Sequence, residues 1–195
     1  MVNSLLHRKE SLILTTIDVF NELGIRGLST REIAKRQGVS EATLFRHYKS
    51  KNELLLAVLD YYAQFDADIV KSIELKELLP REAIEFWVNS YIEYYENYPA
   101  ITAITQAYDV LAYDAILAVK IKEIFNYRSE MLTMLIEKAK EAGEIKAETE
   151  STYLSDIIIG FKKLNCLKWR LSGFNYSLKD STMETLKMLL DSFKP

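Results

Sequence analysis

The sequence predicts an all-α protein, with a three-helix N-terminal domain joined by a linking helix to a larger helical domain. Its 195 residues include only six Gly and three Pro, which lie between segments of helical periodicity. Residues 29–54 also contain three separate signals for the start of a helix and a Gly placed to end one. A chain of this length can hold one large or two small domains with a hydrophobic core.

The first predicted helix runs from about Ser4 to Leu23 and stops at Gly24. Val19 and Phe20, near its end, are expected to close the core of the short helices that follow. This helix therefore belongs to the N-terminal domain, which we predict to span residues 1–50.

The next two helices are short and joined by a sharp turn. Ser29 and Glu32 form a capping box that opens the first, and Gly38 supplies the positive φ needed to end it. Ser40 caps the second helix, which spans residues 41–48. Two such helices form a helix-turn-helix, whose second helix enters the major groove of DNA. The sequence therefore predicts a DNA-binding protein.

The side chains of this segment divide into an inward and an outward set. Ile33, Val39 and Leu44 have the spacing of a wedge between the helices, and the small Ala34 permits a close crossing. The outward set is small or hydroxyl-bearing at the start of the second helix and basic at its end: Glu41, Ala42, Thr43, Arg46 and His47, with Lys49 and Lys51 beyond. This pattern suits contact with DNA phosphates. A purely structural helical hairpin, the alternative, would more often carry acid–base pairs four residues apart.

The rest of the chain is predicted to be helical as well. Ser50 and Glu53 form a second capping box, which opens a linking helix over residues 51–73. Pro80 suits the first turn of the next helix, and Gly143 suits the end of a long one. The remaining predicted helices cover residues 80–98, 101–112, 114–142, 149–171 and 178–193. Together they form a second domain at residues 51–195.

Charge is distributed unevenly along the chain. The net charge is −3, yet residues 1–59 hold nine Lys and Arg against six Asp and Glu. The remaining residues hold sixteen basic and twenty-two acidic side chains. The basic excess thus coincides with the helix-turn-helix, where phosphate neutralisation requires it.

Several classes of protein are disfavoured. The only histidines are His7 and His47, and Cys166 has no histidine nearby in the sequence. No phosphate-binding Gly-rich loop or metal-binding motif is present, so we predict neither an enzyme nor a cofactor or metal site. Cys166 is expected to be a buried small hydrophobe. No apolar run is long enough to span a bilayer, and we expect a cytoplasmic protein without a membrane partner.

Residues 10–56 resemble the DNA-binding domain of the TetR family of bacterial transcriptional regulators. The matching motifs are Ser29-Thr30-Arg31-Glu32-Ile33-Ala34, Gly38-Val39-Ser40, Thr43-Leu44-Phe45-Arg46-His47-Tyr48 and Lys49-Ser50-Lys51-Asn52-Glu53-Leu54. The resemblance implies phosphate contacts from Thr30, Thr43, His47 and Lys51, and base or groove contacts from Arg31, Glu41, Ala42 and Phe45. Phe45 replaces the Tyr usual in the family, a loss of one hydrogen-bond donor that costs about 1 kcal/mol. Ala42 stands where Gly is common, and Tyr48 where Phe is usual.

The resemblance also implies a homodimer and a small-molecule effector. Apolar stripes on the last two long helices are the candidate dimer interface: Leu132, Leu135, Ile136, Ile157, Phe161 and Leu164. Aromatic residues in the middle of the chain suit a pocket for an apolar or aromatic effector; the candidates are Trp87, Tyr91, Tyr108, Phe125 and Phe161. For both sets, packing in the core of the single chain is the alternative.

The function predicted is a ligand-responsive regulator whose dimer binds a palindromic operator in double-stranded DNA. The family resemblance implies that this regulator is a repressor. A helix-turn-helix regulator controlled by a protein partner, without a small-molecule effector, is the alternative. A chain with no enclosed cavity for a ligand would favour that alternative.

Overall fold

A computed structural model describes the backbone of residues 2–195 and the side chains from Arg8 onward. The side chain of His7 lies outside the described residues. The α-helices are α1 (Val2–Gly27), α2 (Thr30–Arg36), α3 (Glu41–His47), α4 (Lys51–Ala63), α5 (Asp66–Leu75), α6 (Pro80–Asn97), α7 (Thr102–Gln106), α8 (Tyr108–Leu111), α9 (Ala115–Glu141), α10 (Ser151–Leu171) and α11 (Leu178–Ser192). Residues 2–195 contain no β-strand, and the predicted all-α fold is confirmed.

The chain packs as two compact units. The first comprises residues up to Gln64 together with Pro99–Lys122, and the second comprises Phe65–Tyr98 and Glu123–Pro195. The predicted boundary at residue 50 separates the DNA-binding helices from the rest, whereas packing keeps α4 and the short helices α7 and α8 with them. Helix α9 contributes residues to both units.

In the first unit, α1 packs against α2, α4 and α7. Side chains of α1 that are fully buried, such as Leu12, Ile17 and Val19, form the core together with Ile33 and Leu44. Helix α1 turns sharply at Gly24, whose φ of +64° lies in the left-handed region. The predicted end of the first helix therefore marks a kink, because glycine adopts this conformation without a steric penalty.

Helix α4 is fastened to the start of α9 within the first unit. The Asn52 amide donates a 2.5 Å hydrogen bond to Asp114, whose other carboxylate oxygen accepts from the backbone N–H groups of Ile116 and Leu117. Eight residues further along α4, Asp60 forms a 2.6 Å ion pair with Lys120. The helix that follows the helix-turn-helix is thus held at two points by α9.

The predicted linking helix over residues 51–73 is wrong in one respect, because it is broken between α4 and α5. The break places Asp66 in the first turn of α5, where the residue is buried. Its carboxylate bonds to the side chains of Arg128 and Tyr91. These long-range bonds supply a physical reason for the break that the local sequence does not contain.

The second unit is formed by α5, α6, α10, α11 and most of α9. Helix α11 packs on α6 and α10, and ion pairs join Lys179 to Glu93 and Arg81 to Asp191. Trp87 is almost fully buried in this unit, and Cys166 is a buried free cysteine, as predicted. None of the helices in the described part of the chain is both long and apolar enough to cross a membrane.

Three of the predicted dimer-interface residues are core residues instead. Leu132, Leu135 and Ile136 on α9 are between 0% and 3% exposed in the single chain. They occupy the inward face of α9 within the second unit, where a partner chain has no access to them. The apolar stripe that predicted an interface is the one by which α9 packs into its own unit.

Candidate nucleic-acid interface

The helix-turn-helix is built by short-range hydrogen bonds. The Ser29 and Ser40 hydroxyls accept from the backbone N–H groups of Glu32 and Thr43, which caps α2 and α3 as predicted. At the end of α2 the Gly38 N–H donates to the carbonyl of Lys35, and the next N–H donates to that of Ala34. This pair of bonds is a Schellman motif, and Gly38 has the left-handed φ of +68° that it requires.

The acidic halves of the two predicted capping boxes differ from the ideal pattern. The Glu32 carboxylate accepts a 2.9 Å hydrogen bond from Arg36, one turn later on α2. The Glu53 carboxylate accepts from the backbone N–H of Lys49 at 2.6 Å, one residue before the cap Ser50. Both acids still lie in the first turn of their helices, where the helix dipole favours negative charge.

Side chains of α1 position the helix-turn-helix. The Gln37 amide, at the end of α2, bonds to the hydroxyls of Ser11 and Thr15. The buried Tyr48, which follows α3, donates its hydroxyl to the carbonyl of Lys9 at 3.2 Å. The hydroxyl that distinguishes Tyr48 from the usual Phe therefore has a hydrogen-bond partner. Both ends of the motif are therefore tied to the first helix.

The outward face of α3 agrees with the sequence-based division. Ala42 and Arg46 are exposed, as is Arg31 on α2, and Phe45 is 44% exposed although it is a large apolar residue. Thr43, His47 and Lys51 are partly exposed, as are Thr30 and Glu41. All nine predicted DNA-binding residues thus retain accessible surface, while Ile33 and Leu44 fill the core behind them.

A hydrogen bond joins the first turns of the two helices. The Thr30 hydroxyl donates to the Glu41 carboxylate at 2.8 Å. In this arrangement Glu41 fixes the start of α3 against α2. A contact from the Thr30 proton to a DNA phosphate requires this bond to open, because a hydroxyl has one proton to donate.

His47 lies near several positive charges. Partial burial, followed by the charges of Arg46, Arg8 and Lys9, lowers the pKa of His47 below its ordinary value of 6.5. The shift therefore favours the neutral imidazole in the free protein. A neutral imidazole can still donate one hydrogen bond to a phosphate through its N–H group.

The effector candidates are not all brought together. Trp87 and Tyr91 pack edge to face on α6, with 4.8 Å between ring centroids. Phe161 is partly exposed on α10, Phe125 is 46% exposed on α9, and Tyr108 packs against Tyr62 in the first unit. A surface cleft of about 330 Å³ lies at the start of α10, and none of these five residues lines it.

The sequence analysis missed a buried charged cluster beside Trp87 and Tyr91. Arg128 makes two hydrogen bonds of 2.8 and 2.9 Å to Asp66, and Lys162 lies against both aromatic rings. One signal was available: Lys162 recurs with Ile158, Asn165 and Trp169 at the spacing of an inward helix face. A lysine at such a position is unusual, since lysine is seldom fully buried without a partner.

Comparison with known proteins finds a family match in the N-terminal part of the chain. The family model described as "Bacterial regulatory proteins, tetR family" matches residues 12–58. The uncharacterized HTH-type transcriptional regulator YerO of Bacillus subtilis (strain 168) is 30% identical over 93 residues, which is 47% of this chain and 32% of YerO. The nucleoid occlusion factor SlmA of Actinobacillus pleuropneumoniae serotype 5b (strain L20) is 22% identical over 89% of this chain and 86% of SlmA.

A solved structure supports the fold along the whole chain. The transcriptional regulator FadR from Bacillus subtilis, in complex with stearoyl-CoA, superposes with a TM-score of 0.81. It is 20% identical, and the alignment covers 93% of this chain and 97% of FadR. The fold extends beyond residue 58, where the family model ends, so the second helical unit is common to both proteins.

Proposed function

We propose that this chain, which carries the DNA-binding domain of the tetR family of bacterial regulatory proteins, is a ligand-responsive repressor acting in the cytoplasm as a homodimer on a palindromic operator. The match at residues 12–58 confirms the recognition made from the sequence and identifies a DNA-binding transcriptional regulator. The proposal depends above all on one observation, the capped helix-turn-helix with its exposed, partly basic outward face.

The proposed contacts with DNA follow from exposure and chemistry. Arg31 and Phe45 are exposed where α3 would enter the major groove, together with Ala42 and Glu41. Phosphate contacts are assigned to partly or fully exposed donors at the edges of the motif: Thr30, Thr43, Arg46, His47 and Lys51. Such contacts fix the orientation of the protein on the duplex.

The proposed dimer surface lies on the outward face of α10. Ile157 is 48% and Leu164 51% exposed, and the partly exposed Phe161 lies between them. The exposed Tyr153, Leu167 and Leu171 extend this apolar stripe along the helix at spacings of three and four residues. An apolar stripe of this length is typical of a protein interface. A two-fold dimer would present two α3 helices to the two half-sites of a palindrome.

The proposed effector site lies in the second helical unit, around Trp87, Tyr91, Phe125 and Phe161. The remaining candidate, Tyr108, belongs to the first unit. The name of the FadR structure, which gives stearoyl-CoA as its ligand, supports the idea of an apolar small molecule here. Helix α9 is the element through which we propose that effector binding affects the DNA-binding helices. This helix carries Arg128 in the second unit, and Asp114, the residue just before its first residue Ala115, accepts a hydrogen bond from Asn52 in the first turn of α4. We infer that an effector changes the position of α4 through this helix.

The test begins with selection of an operator from random DNA, followed by affinity measurements at several salt concentrations. We expect a pseudo-palindromic consensus and an affinity that falls steeply with salt, because lysine and arginine contacts release counterions from DNA. Replacing Lys51 with Ala should lower the salt dependence, whereas replacing the exposed Lys71 of α5 should not. Binding that is weak and independent of sequence would contradict the proposed function.

The dimer is tested by sedimentation of Ile157→Asp and Leu164→Asp variants. A charge in a dimer interface is left without a partner, so we expect monomers and weaker operator binding. The matched control is Tyr113→Asp, at a side chain that is 92% exposed in the first unit. If both α10 variants remained dimeric, the assignment of the dimer interface to α10 would be wrong.

A regulator controlled by a protein partner instead of a small molecule is the second candidate. It is favoured by the alignment with the nucleoid occlusion factor SlmA over 89% of the chain, because that name states a cellular role and no ligand. An operator-binding dimer that responds to no small molecule in a broad screen would support it.

A further inference from the structure

Lys162 on α10 is buried in a cluster of aromatic and charged side chains. It is 7% exposed, and its ammonium nitrogen lies 4.3 Å from the ring centroid of Trp87 and 4.5 Å from that of Tyr91. The Arg128 guanidinium lies 4.6 Å from the Tyr91 centroid. Two cations therefore share the faces of two rings of α6.

Among the residues that the structure describes, Asp66 is the acid that bonds to this cluster. Asp66 accepts two hydrogen bonds from Arg128 and a third from the Tyr91 hydroxyl at 2.9 Å. In the described part of the chain no carboxylate forms an ion pair with Lys162. Arg128 and Asp66 cancel each other, and the charge of Lys162 is left in excess.

The energetics of this arrangement are unfavourable in the free protein. Burial, together with the positive charge of Arg128, lowers the pKa of Lys162 from 10.5 to about 7. Asp66 and the Cys166 thiol act in the opposite direction but less strongly. An apolar residue of similar volume would stabilise this core better than a lysine without an acid. Stability therefore does not explain the presence of the amine.

A second donor on the same face of α10 also lacks an acceptor. Asn165 lies one helical turn beyond Lys162 and is 8% exposed. Its amide nitrogen is buried without a hydrogen-bond partner in the structure. Buried donors of this kind are nearly always paired in folded proteins, with a protein group, water or a ligand.

We propose that Lys162 and Asn165 receive the carboxylate of the effector, a monocarboxylic acid whose apolar or aromatic body packs against Trp87 and Tyr91. This assignment rests on the proposed ligand-responsive function and specifies the chemical class of its ligand. One ammonium and one amide match a single negative charge with two oxygens. A phosphate or a coenzyme A group brings more charge than this cluster neutralises, since Arg128 is already paired with Asp66.

The inference is tested by calorimetric titration with matched acids and amides: 4-phenylbutyrate and decanoate, against 4-phenylbutyramide and decanamide. We expect the acids to bind more tightly than the amides by about tenfold to a hundredfold, the range for hydrogen bonds to a charged group. Phenyl phosphate should bind no better than the amides. Acids that bind no more tightly than their amides would overturn the proposal.

Two variants separate the charge from the fold. Lys162→Met keeps the length of the side chain and should abolish the preference for the acids while leaving affinity for the amides unchanged. Lys163→Met, at the exposed neighbouring position, should leave both unchanged. An acid preference that survives in a folded Lys162→Met protein would contradict the assignment.

The pH dependence supplies an independent measurement. Above about pH 7 the amine of the free protein loses its proton, and a proton must then be taken up from solvent when the carboxylate binds. The dissociation constant of an acid should therefore rise by up to about tenfold per pH unit above that value in the parent protein. In Lys162→Met it should be flat, and a flat profile in the parent would also contradict the proposal.

Operator affinity, measured with and without each acid, separates this inference from the proposed function. If operator binding is normal and no acid binds, the carboxylate assignment fails while the DNA-binding function stands. Acids that bind through Lys162 without changing operator affinity would confirm the site and contradict the ligand-responsive function.

Discussion

The helix-turn-helix and the core of the second unit place their charges in opposite ways. In the helix-turn-helix the ion pairs lie at the surface: Arg36 bonds to Glu22 and Glu32, whose side chains are 54% and 26% exposed. In the second unit Asp66 and Arg128 form their pair at 8% and 9% exposure, with Lys162 beside them. The surface pairs are screened and replaceable by water, whereas the buried ones depend on each other. The charges of the helix-turn-helix are thus accessible to DNA. The buried charges of the second unit are accessible only to a ligand that enters the core, as proposed for Lys162.

The largest difference between the regions should appear when one acid is removed from each. Asp66→Asn leaves Arg128 buried without its counterion, and the free energy of unfolding should fall by about 3–5 kcal/mol. Glu22→Gln removes a surface partner of Arg36 and should cost less than about 1 kcal/mol. Urea denaturation followed by circular dichroism measures both values. Equal losses would mean that the buried pair is no more critical than the exposed one.

An intermediate effect should come from Lys162→Met, and it should depend on pH. Because the pKa of Lys162 is lower in the folded than in the unfolded chain, the unfolded chain holds more protons between about pH 7 and pH 10. The stability of the parent protein should therefore rise with pH over that window. The variant should be the more stable by about 2–4 kcal/mol near pH 6, and this advantage should shrink toward pH 10.

The control for this second prediction is Lys163→Met, one position along α10 and exposed. Its stability relative to the parent should not change with pH. A Lys162→Met advantage that stays constant across the window would show that Lys162 is not charged and buried at neutral pH.

The smallest effects should have opposite signs at two glycines. Gly38→Ala forces an alanine into the left-handed φ of +68° at the turn and should cost about 1–2 kcal/mol. Gly160 lies within α10, and a Cβ there would meet no atom within 4 Å. Gly160→Ala should stabilise the chain by about 0.5–1 kcal/mol. Thermal unfolding of the two variants checks the signs, and a stabilising Gly38→Ala would contradict the Schellman turn.

Local sequence signals predicted the helix boundaries of much of the first unit and several helix ends in the second. Ser29, Ser40 and Ser50 cap α2, α3 and α4 where the sequence indicates. Pro80 opens α6, and Gly143 follows α9 with a positive φ. Each of these features depends on bonds between residues fewer than six positions apart, so the order of residues is enough to reveal them.

Such patterns predict less well which side chains are buried within the single chain. The stripe of Leu132, Leu135 and Ile136 was real, but periodicity shows only that a face is apolar and not which partner covers it. The same limit applies to Ile157 and Leu164, whose exposure in the single chain becomes known only when α10 is packed. The DNA-binding and dimer assignments themselves remain predictions for the experiments above.

The all-α fold and the helix-turn-helix follow from the sequence alone, because helix caps, glycine turns and apolar periodicity are local properties. Which charges are buried depends on how distant helices pack together. Asp66 and Arg128 are 62 positions apart, and Lys162 lies 34 positions beyond Arg128. Their pairing, the break between α4 and α5, and the unpaired amine beside Trp87 arise when distant helices exclude water from the same space. That exclusion makes each charge depend on its neighbours. The spacing of Lys162 indicates that it faces inward, but no local pattern shows which distant groups it meets.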